Sequence, residues 1–289
     1  MANTSPIKPA TSAKTTAKEA SLSESLSSKF AAIVIPFSFL VAIAIYMFVF
    51  GDPSHFQGGN PKNNPVQGDY LGVIHKGGPI VPVLLGLLIM VVTFAIERFF
   101  TISKAQGKGS TAKFVAKIKA LISRGEIDAA LAEADRQKGS VANVVKAGLL
   151  KYKEVDSNYN LDQERKLQAI QKDIEETTQL EMPMLEKNLV VIATIASIAT
   201  LVGLLGTVMG MITAFAALAN AGAPDAVALA NGISEALINT AFGIGGSALA
   251  IVFYNYFTSK IDGLTFGIDE VGYSITQSFA SKANKNAEI

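Results

Sequence analysis

The sequence predicts an all-α membrane protein with four transmembrane helices, the third and fourth long and extending into a helical cytoplasmic domain. Three observations carry this. Of the 289 residues 49% are hydrophobic and the mean hydropathy is +0.35, too apolar for an ordinary soluble chain. Four windows, Phe30 to Phe50, Gly78 to Ile96, Leu189 to Ala219 and Ile233 to Phe257, are long enough to cross a hydrocarbon layer about 30 Å thick. Only the last holds an ionisable residue, Glu235. Between the windows, apolar residues recur at helical spacing with no strand-like alternation.

Residues 1–29 are rich in Ser, Thr, Ala and Lys without apolar periodicity, which predicts a disordered cytoplasmic tail. Residues 30–50 form an extra first transmembrane helix rather than a signal-peptide core: the run is 21 residues long, lies far from the terminus and precedes no small-residue cleavage site. Residues 51–77, with Gly58-Gly59-Asn60-Pro61 and Asn63-Asn64-Pro65, read as an irregular periplasmic loop. The second transmembrane helix, 78–98, opens at Gly78-Pro79, carries Pro82 in its first turn where proline costs little, and ends at the charges of Glu97-Arg98.

Residues 99–187 predict a cytoplasmic helical domain. Phe114, Ile118, Leu121 and Ile122 mark one amphipathic helix, Ile127, Ala130, Leu131 and Ala134 the next, and Val141, Val144, Val145 and Leu149 a third. Leu167, Ile170, Ile174 and Leu180 then share a face that leads without a glycine into the third span, 188–219. A continuous helix from Asp162 to Leu218 is roughly 85 Å long and projects beyond the bilayer, with a kink expected at Pro183. A periplasmic turn, 220–232, connects to the fourth span, 233–257. The segment 258–289 is a cytoplasmic extension with Ile261, Leu264, Phe266, Ile268, Val271, Ile275 and Phe279 on its apolar side, frayed from Lys282.

Lys and Arg number four in the tail, two in the loop, sixteen from Glu97 to Lys187, none in the turn and three after Tyr256. This asymmetry places both termini and the helical domain in the cytoplasm, with both poor loops outside.

Composition narrows the chemistry. A net charge of +1 and the lack of a basic stripe with interleaved aromatics argue against nucleic acid. No cysteine is present, and His55 and His75 have no ligand spacing, so neither thiol chemistry nor a metal site is expected, and no cofactor. Gly107-Lys108-Gly109-Ser110-Thr111 lacks the spacing of a phosphate loop, and no nucleophile–base set is recognisable, so the chain does not read as an enzyme.

The distinctive signal is polar but uncharged. In the third span Ala196, Thr200, Gly203, Thr207, Gly210 and Ala214 fall at steps of three or four; in the fourth, Ala236, Asn239, Thr240, Gly243, Gly246, Ser247 and Ala250 do the same. These faces point toward protein rather than lipid. For Gly203, Gly206, Gly210, Gly243 and Gly246 the expectation is close helix packing. For Thr207 and Thr240, well inside their spans, packing and pore lining both fit, and Thr200 and Asn239 share their faces. Glu235 either faces a cavity or partner, as intramembrane acids do, or complements the helix dipole from a first turn. No span carries Asp, Glu, His, Lys or Arg near its centre. If protons cross here, a partner supplies the carboxylate.

The segment Gly203-Leu204-Leu205-Gly206-Thr207-Val208-Met209-Gly210-Met211, then Gly232-Ile233-Ser234-Glu235-Ala236-Leu237-Ile238-Asn239-Thr240-Ala241-Phe242-Gly243 and Tyr254-Asn255-Tyr256, resembles the ExbB/TolQ/MotA proton-channel family, and ExbB most within it. Gly78-Pro79-Ile80, Glu97-Arg98 and 142–149 fit as well, so the likeness runs from about Gly78 to Lys260. It implies a homopentamer in the bacterial inner membrane around a dimer of an ExbD-like subunit whose membrane aspartate carries protons. A TonB-like protein would pass the energy to outer-membrane transport. It also implies that Thr207 and Thr240 match pore-facing hydroxyls and Glu235 an acid near the outer mouth. The extra first helix and the lack of a proline after the fourth span's small-residue face depart from ExbB. Another ion-driven motor (Tol-, gliding- or flagellar-type) and a non-conducting scaffold are the alternatives.

Overall fold

The computed structural model describes residues 30–158, 161–219 and 225–287, with side chains as far as residue 282. The expected disordered tail 1–29, residues 220–224 of the expected turn and residues 288–289 lie outside the described residues; the end expected to fray from Lys282 is helical as far as Ala287. Among the described residues the chain is helical with no strand: α1 (Phe30–Phe50), α2 (Tyr70–His75), α3 (Val81–Gln106), α4 (Thr111–Ser123), α5 (Ile127–Gln137), α6 (Ser140–Asp156), α7 (Gln163–Glu186), α8 (Leu189–Ala219) and α9 (Ala226–Ala287). They form two compact units, Val34–Ser103 with Lys187–Asp262, and Lys104–Glu186 with Gly263–Ile289. Four helices among the described residues are long and apolar enough to cross a membrane, and the chain is a multi-pass membrane protein.

In the first unit α1 buries Val34, Ser38 and Ala42 on one stripe while Ile33, Phe37, Leu40, Met47 and Phe48 stand exposed, the surface a lipid-facing helix presents. It docks on α3 through Phe39, whose ring fills the space a side chain at Gly86 would need: a Cβ there would lie 2.6 Å from Phe39 Cδ1. The last turn of α1, Ile45–Phe50, is π-helical.

Residues 51–77, expected to be irregular, are folded. Asp69 caps α2 by accepting from Leu71 N (2.9 Å) and Gly72 N (3.1 Å), and its other oxygen meets His55 Nδ1 at 2.7 Å. The Tyr46 hydroxyl donates to His75 O (3.0 Å), and the two rings stack at 4.5 Å. Phe56 is buried beside them, its ring edge-on to His75. Local composition missed this because the ties join residues up to 29 apart in sequence.

Helix α3 runs past Glu97-Arg98 to Gln106. The charges mark a depth, not an end; the first residue able to end the helix is Gly107, at φ +76. The expected continuous helix from Asp162 to Leu218 is interrupted, and not at Pro183, which sits inside α7. The interruption is Asn188, at φ +64, a left-handed conformation that asparagine tolerates better than most residues. Its Nδ2 donates to Glu97 Oε2 at 3.2 Å, and Glu97 also accepts from Arg98 and Thr101. The fourth span begins seven residues earlier than expected, at Ala226, after Asp225 caps Val227 N and Ala228 N.

The second unit encloses Phe114, Ile118 and Ile122 of α4, Ala130 and Ala134 of α5, Val144, Val145 and Leu149 of α6, Ile170 and Ile174 of α7, and Leu264, Ile268, Val271, Ile275 and Phe279 of α9. Tyr152 meets Phe279 edge-on at 4.9 Å, and Gly148 makes room for Ile174 and Ile275. The apolar face of α9 is narrower than expected, for Phe266 is 68% exposed.

Candidate functional site

The seam between α8 and α9 is built from glycines. A Cβ on Gly203 would lie 2.9 Å from both Asn239 O and Gly243 Cα, one on Gly210 2.6 Å from Ala236 N, and one on Gly243 2.7 Å from Gly203 Cα. Backbone faces backbone there, the approach that small residues permit between membrane helices. Gly246 differs, its nearest neighbour being Ala199 Cβ at 3.8 Å. Ser247 ties the two helices further along the seam by donating to Ala196 O.

Beyond Leu189, Ile192 and Ile195 in its first turns, the buried positions on α8 are Ala199, Gly203, Gly206, Gly210, Ala214 and Ala217. That stripe is turned by part of a residue step from the Ala196, Thr200, Thr207 stripe expected, so Thr200 is exposed and Thr207 stands half-buried at the seam's edge. Thr207 meets Thr240 there, hydroxyl to hydroxyl. Thr207 Oγ1 also lies 3.2 Å from Gly203 O and 3.4 Å from Ala236 O, and Thr240 Oγ1 lies 3.1 Å from Ala236 O.

Each hydroxyl has one proton to donate and two lone pairs. If Thr207 donates to Thr240 and Thr240 to Ala236 O, Thr207 keeps both lone pairs and Thr240 one. If Thr240 donates to Thr207 and Thr207 to Gly203 O, Thr240 keeps both and Thr207 one. Rotating two hydroxyls therefore reverses the pair without moving a helix. Such a pair can accept from and pass on a hydrogen bond, but it does not titrate and cannot store a proton.

Thr200 lies seven residues, about 10 Å, along α8 from the pair. Asn239 is fully buried and bonded elsewhere: its Nδ2 donates to Gly77 O at 2.9 Å, and its Cβ and amide fill the space above Gly206. Glu235 packs against Gly78, which has φ +78. Because α9 starts at Ala226, Glu235 is its tenth residue, not a first-turn residue, and the dipole reading fails: that field decays within the first turn. The acid is five residues, about 7.5 Å of helix rise, from Thr240. Thus Thr207 and Thr240 are brought together, Glu235 and Asn239 both face the Gly77-Gly78 turn, and Thr200 stands apart. Sequence reasoning missed the Asn239–Gly77 bond; the Glu235/Asn239 spacing of four was its only signal.

Residues 136–270 match the MotA/TolQ/ExbB proton channel family, a stretch that contains α8 and the α9 residues of the seam. The match covers 135 of the 289 residues, just under half of the chain, and places that segment in the MotA/TolQ/ExbB proton channel family. Among its relatives, the Tol-Pal system protein TolQ of Pseudomonas aeruginosa is 30% identical over 132 residues, 43% of this chain and 57% of that one. Biopolymer transport protein ExbB of Pseudomonas putida is 42% identical over 73 residues, 25% of this chain and 22% of the relative. A putative ExbB homolog of Methanothermobacter thermautotrophicus is 26% identical over 196 residues, 68% of this chain and 65% of the relative. The chain therefore spans less than two thirds of each of these relatives. Helices α1 to α4, the folded loop and most of α5 lie before the family match, whereas Thr207, Thr240, Glu235 and Asn239 lie within it.

Proposed function

We propose that this chain is the proton-channel subunit of an inner-membrane Ton-type motor, acting as a homopentamer around an ExbD-like dimer and passing proton-motive force through a TonB-like protein to outer-membrane transport. The observation that supports this is the Thr207–Thr240 hydroxyl pair, half-exposed within spans that have no titratable residue near their centres. Such a pair suits a wall that hands protons to and from a carboxylate carried by another chain. Both termini and the second unit lie in the cytoplasm in this reading, as the Lys and Arg distribution favours. Thr200 lines the same wall further along α8, and Glu235 lies on the outer side of the pair.

Thr207→Val and Thr240→Val keep shape and remove the hydroxyl. In complexes of unchanged composition, each is expected to reduce energised transport at least about tenfold, whereas Thr→Ser at either site keeps most of it. Wild-type transport in both valine variants would remove the pore assignment. A Tol-type motor is the second reading, favoured by the 30% identity to TolQ over 132 residues. Which small subunit with a membrane aspartate co-purifies in stoichiometric amount decides between them.

A further inference from the structure

Asn239 is enclosed completely, yet only half of its amide is satisfied. Nδ2 bonds to Gly77 O at 2.9 Å, while Oδ1 is buried without a hydrogen-bond partner. The NH₂ and not the oxygen faces Gly77, because a carbonyl oxygen only accepts. A half-satisfied amide in a dry interior costs free energy that a leucine of similar size would not. Burial alone therefore does not explain asparagine at this position.

Its partner does. Gly77 closes the turn between α2 and α3: Gly77 N bonds to Ile74 O at 2.9 Å, and a Cβ on Gly77 would lie 2.5 Å from Val81 Cγ2 and 2.8 Å from Ile238 Cγ2. Two residues earlier, the His75 ring is stacked on Tyr46 of α1, and the His75 carbonyl accepts a hydrogen bond from the Tyr46 hydroxyl. On the other side Asn239 rests on Gly206 of α8 and is followed in the chain by Thr240. We infer that Asn239 is a positioning residue, which fixes the α9 turn bearing Thr240 to the Gly77 carbonyl and through it to α1. The extra first helix thereby gains a function, as the outer anchor of the turn that holds the hydroxyl pair. This rests on the channel reading for its consequence, but the tie itself does not.

The test uses the full complex and three variants. Asn239→Leu and Asn239→Ala remove the donor, and both are expected to speed hydrogen exchange across residues 74–81 and to lower proton flux about tenfold. Asn239→Leu should leave thermal stability equal to or above that of the parent, which separates positioning from folding. Asn239→Asp donates to Gly77 O only while protonated, so its flux and its exchange protection match the parent at low pH and fall together as the introduced acid ionises. Unchanged exchange at 74–81 in the leucine variant would overturn the tie. Faster exchange with parental flux, or an Asp variant with no pH dependence, would overturn positioning. A parent complex that carries no flux would refute the channel reading, and the exchange measurement would still judge the tie.

Discussion

At Gly203 the nearest atoms to an added Cβ belong to the backbone of α9, so no side chain can rotate to make room. Gly203→Leu is therefore expected to force α8 and α9 apart and to cost about 1–3 kcal/mol, seen as a lower unfolding temperature in detergent. Gly246→Ala, with 3.8 Å to Ala199 Cβ, should stay within about 0.5 kcal/mol of the parent. A stripe of small residues does not distinguish these two glycines, because periodicity reports which face a residue lies on and not how near the opposing backbone comes. The same limit explains Thr200 and Asn239. Both share a face with the threonine pair by spacing, but the real seam is centred on Gly206, which leaves Thr200 outside and carries Asn239 to Gly77.

Among the elements, the break between α7 and α8 depends on one residue in a left-handed conformation. Asn188→Gly keeps that conformation and loses only the bond to Glu97, which retains Arg98 and Thr101. Asn188→Ala loses the bond and adds about 1 kcal/mol of backbone strain, so thermal stability should fall in the order parent, glycine, alanine. The loop at 51–77 should respond to acid. Burial holds the His75 imidazole below its usual pKa, with the nearby Lys76 charge adding to this against the hydrogen bond to Tyr46 O. The unfolded loop therefore takes up a proton first, and stability is lost as pH falls through the unfolded histidine value, about 6.5. Asp69, held below the usual carboxylate range mainly by its bond to His55 and then by Gly72 N, gives up its contribution at still lower pH. Hydrogen exchange at residues 66–76, corrected for intrinsic rates, should rise between about pH 7 and 5, and His75→Phe should remove that rise. Span positions were legible in the sequence because hydropathy is a local property. The loop and the Asn188 break were not, since each is fixed by a distant partner.

Over the whole molecule, four long apolar runs and the resemblance in the last two spans were sufficient for the fold class and for the family of the segment 136–270. The role of α1 was not, because its link to the hydroxyl pair passes through a turn that composition marks only as Gly-Gly. In the proposed channel this chain supplies an uncharged wall, and the titrating group belongs to another chain. Proton uptake into vesicles, driven by a potential and followed with an interior pH dye, tests it most directly. Vesicles containing this chain alone should remain at the leak rate, while those containing it with a small subunit bearing a membrane aspartate should take up protons, and lose that uptake when the aspartate becomes asparagine. Uptake by this chain alone at the rate of the complex would mean that it carries the titrating group itself, and the uncharged-wall reading would be wrong.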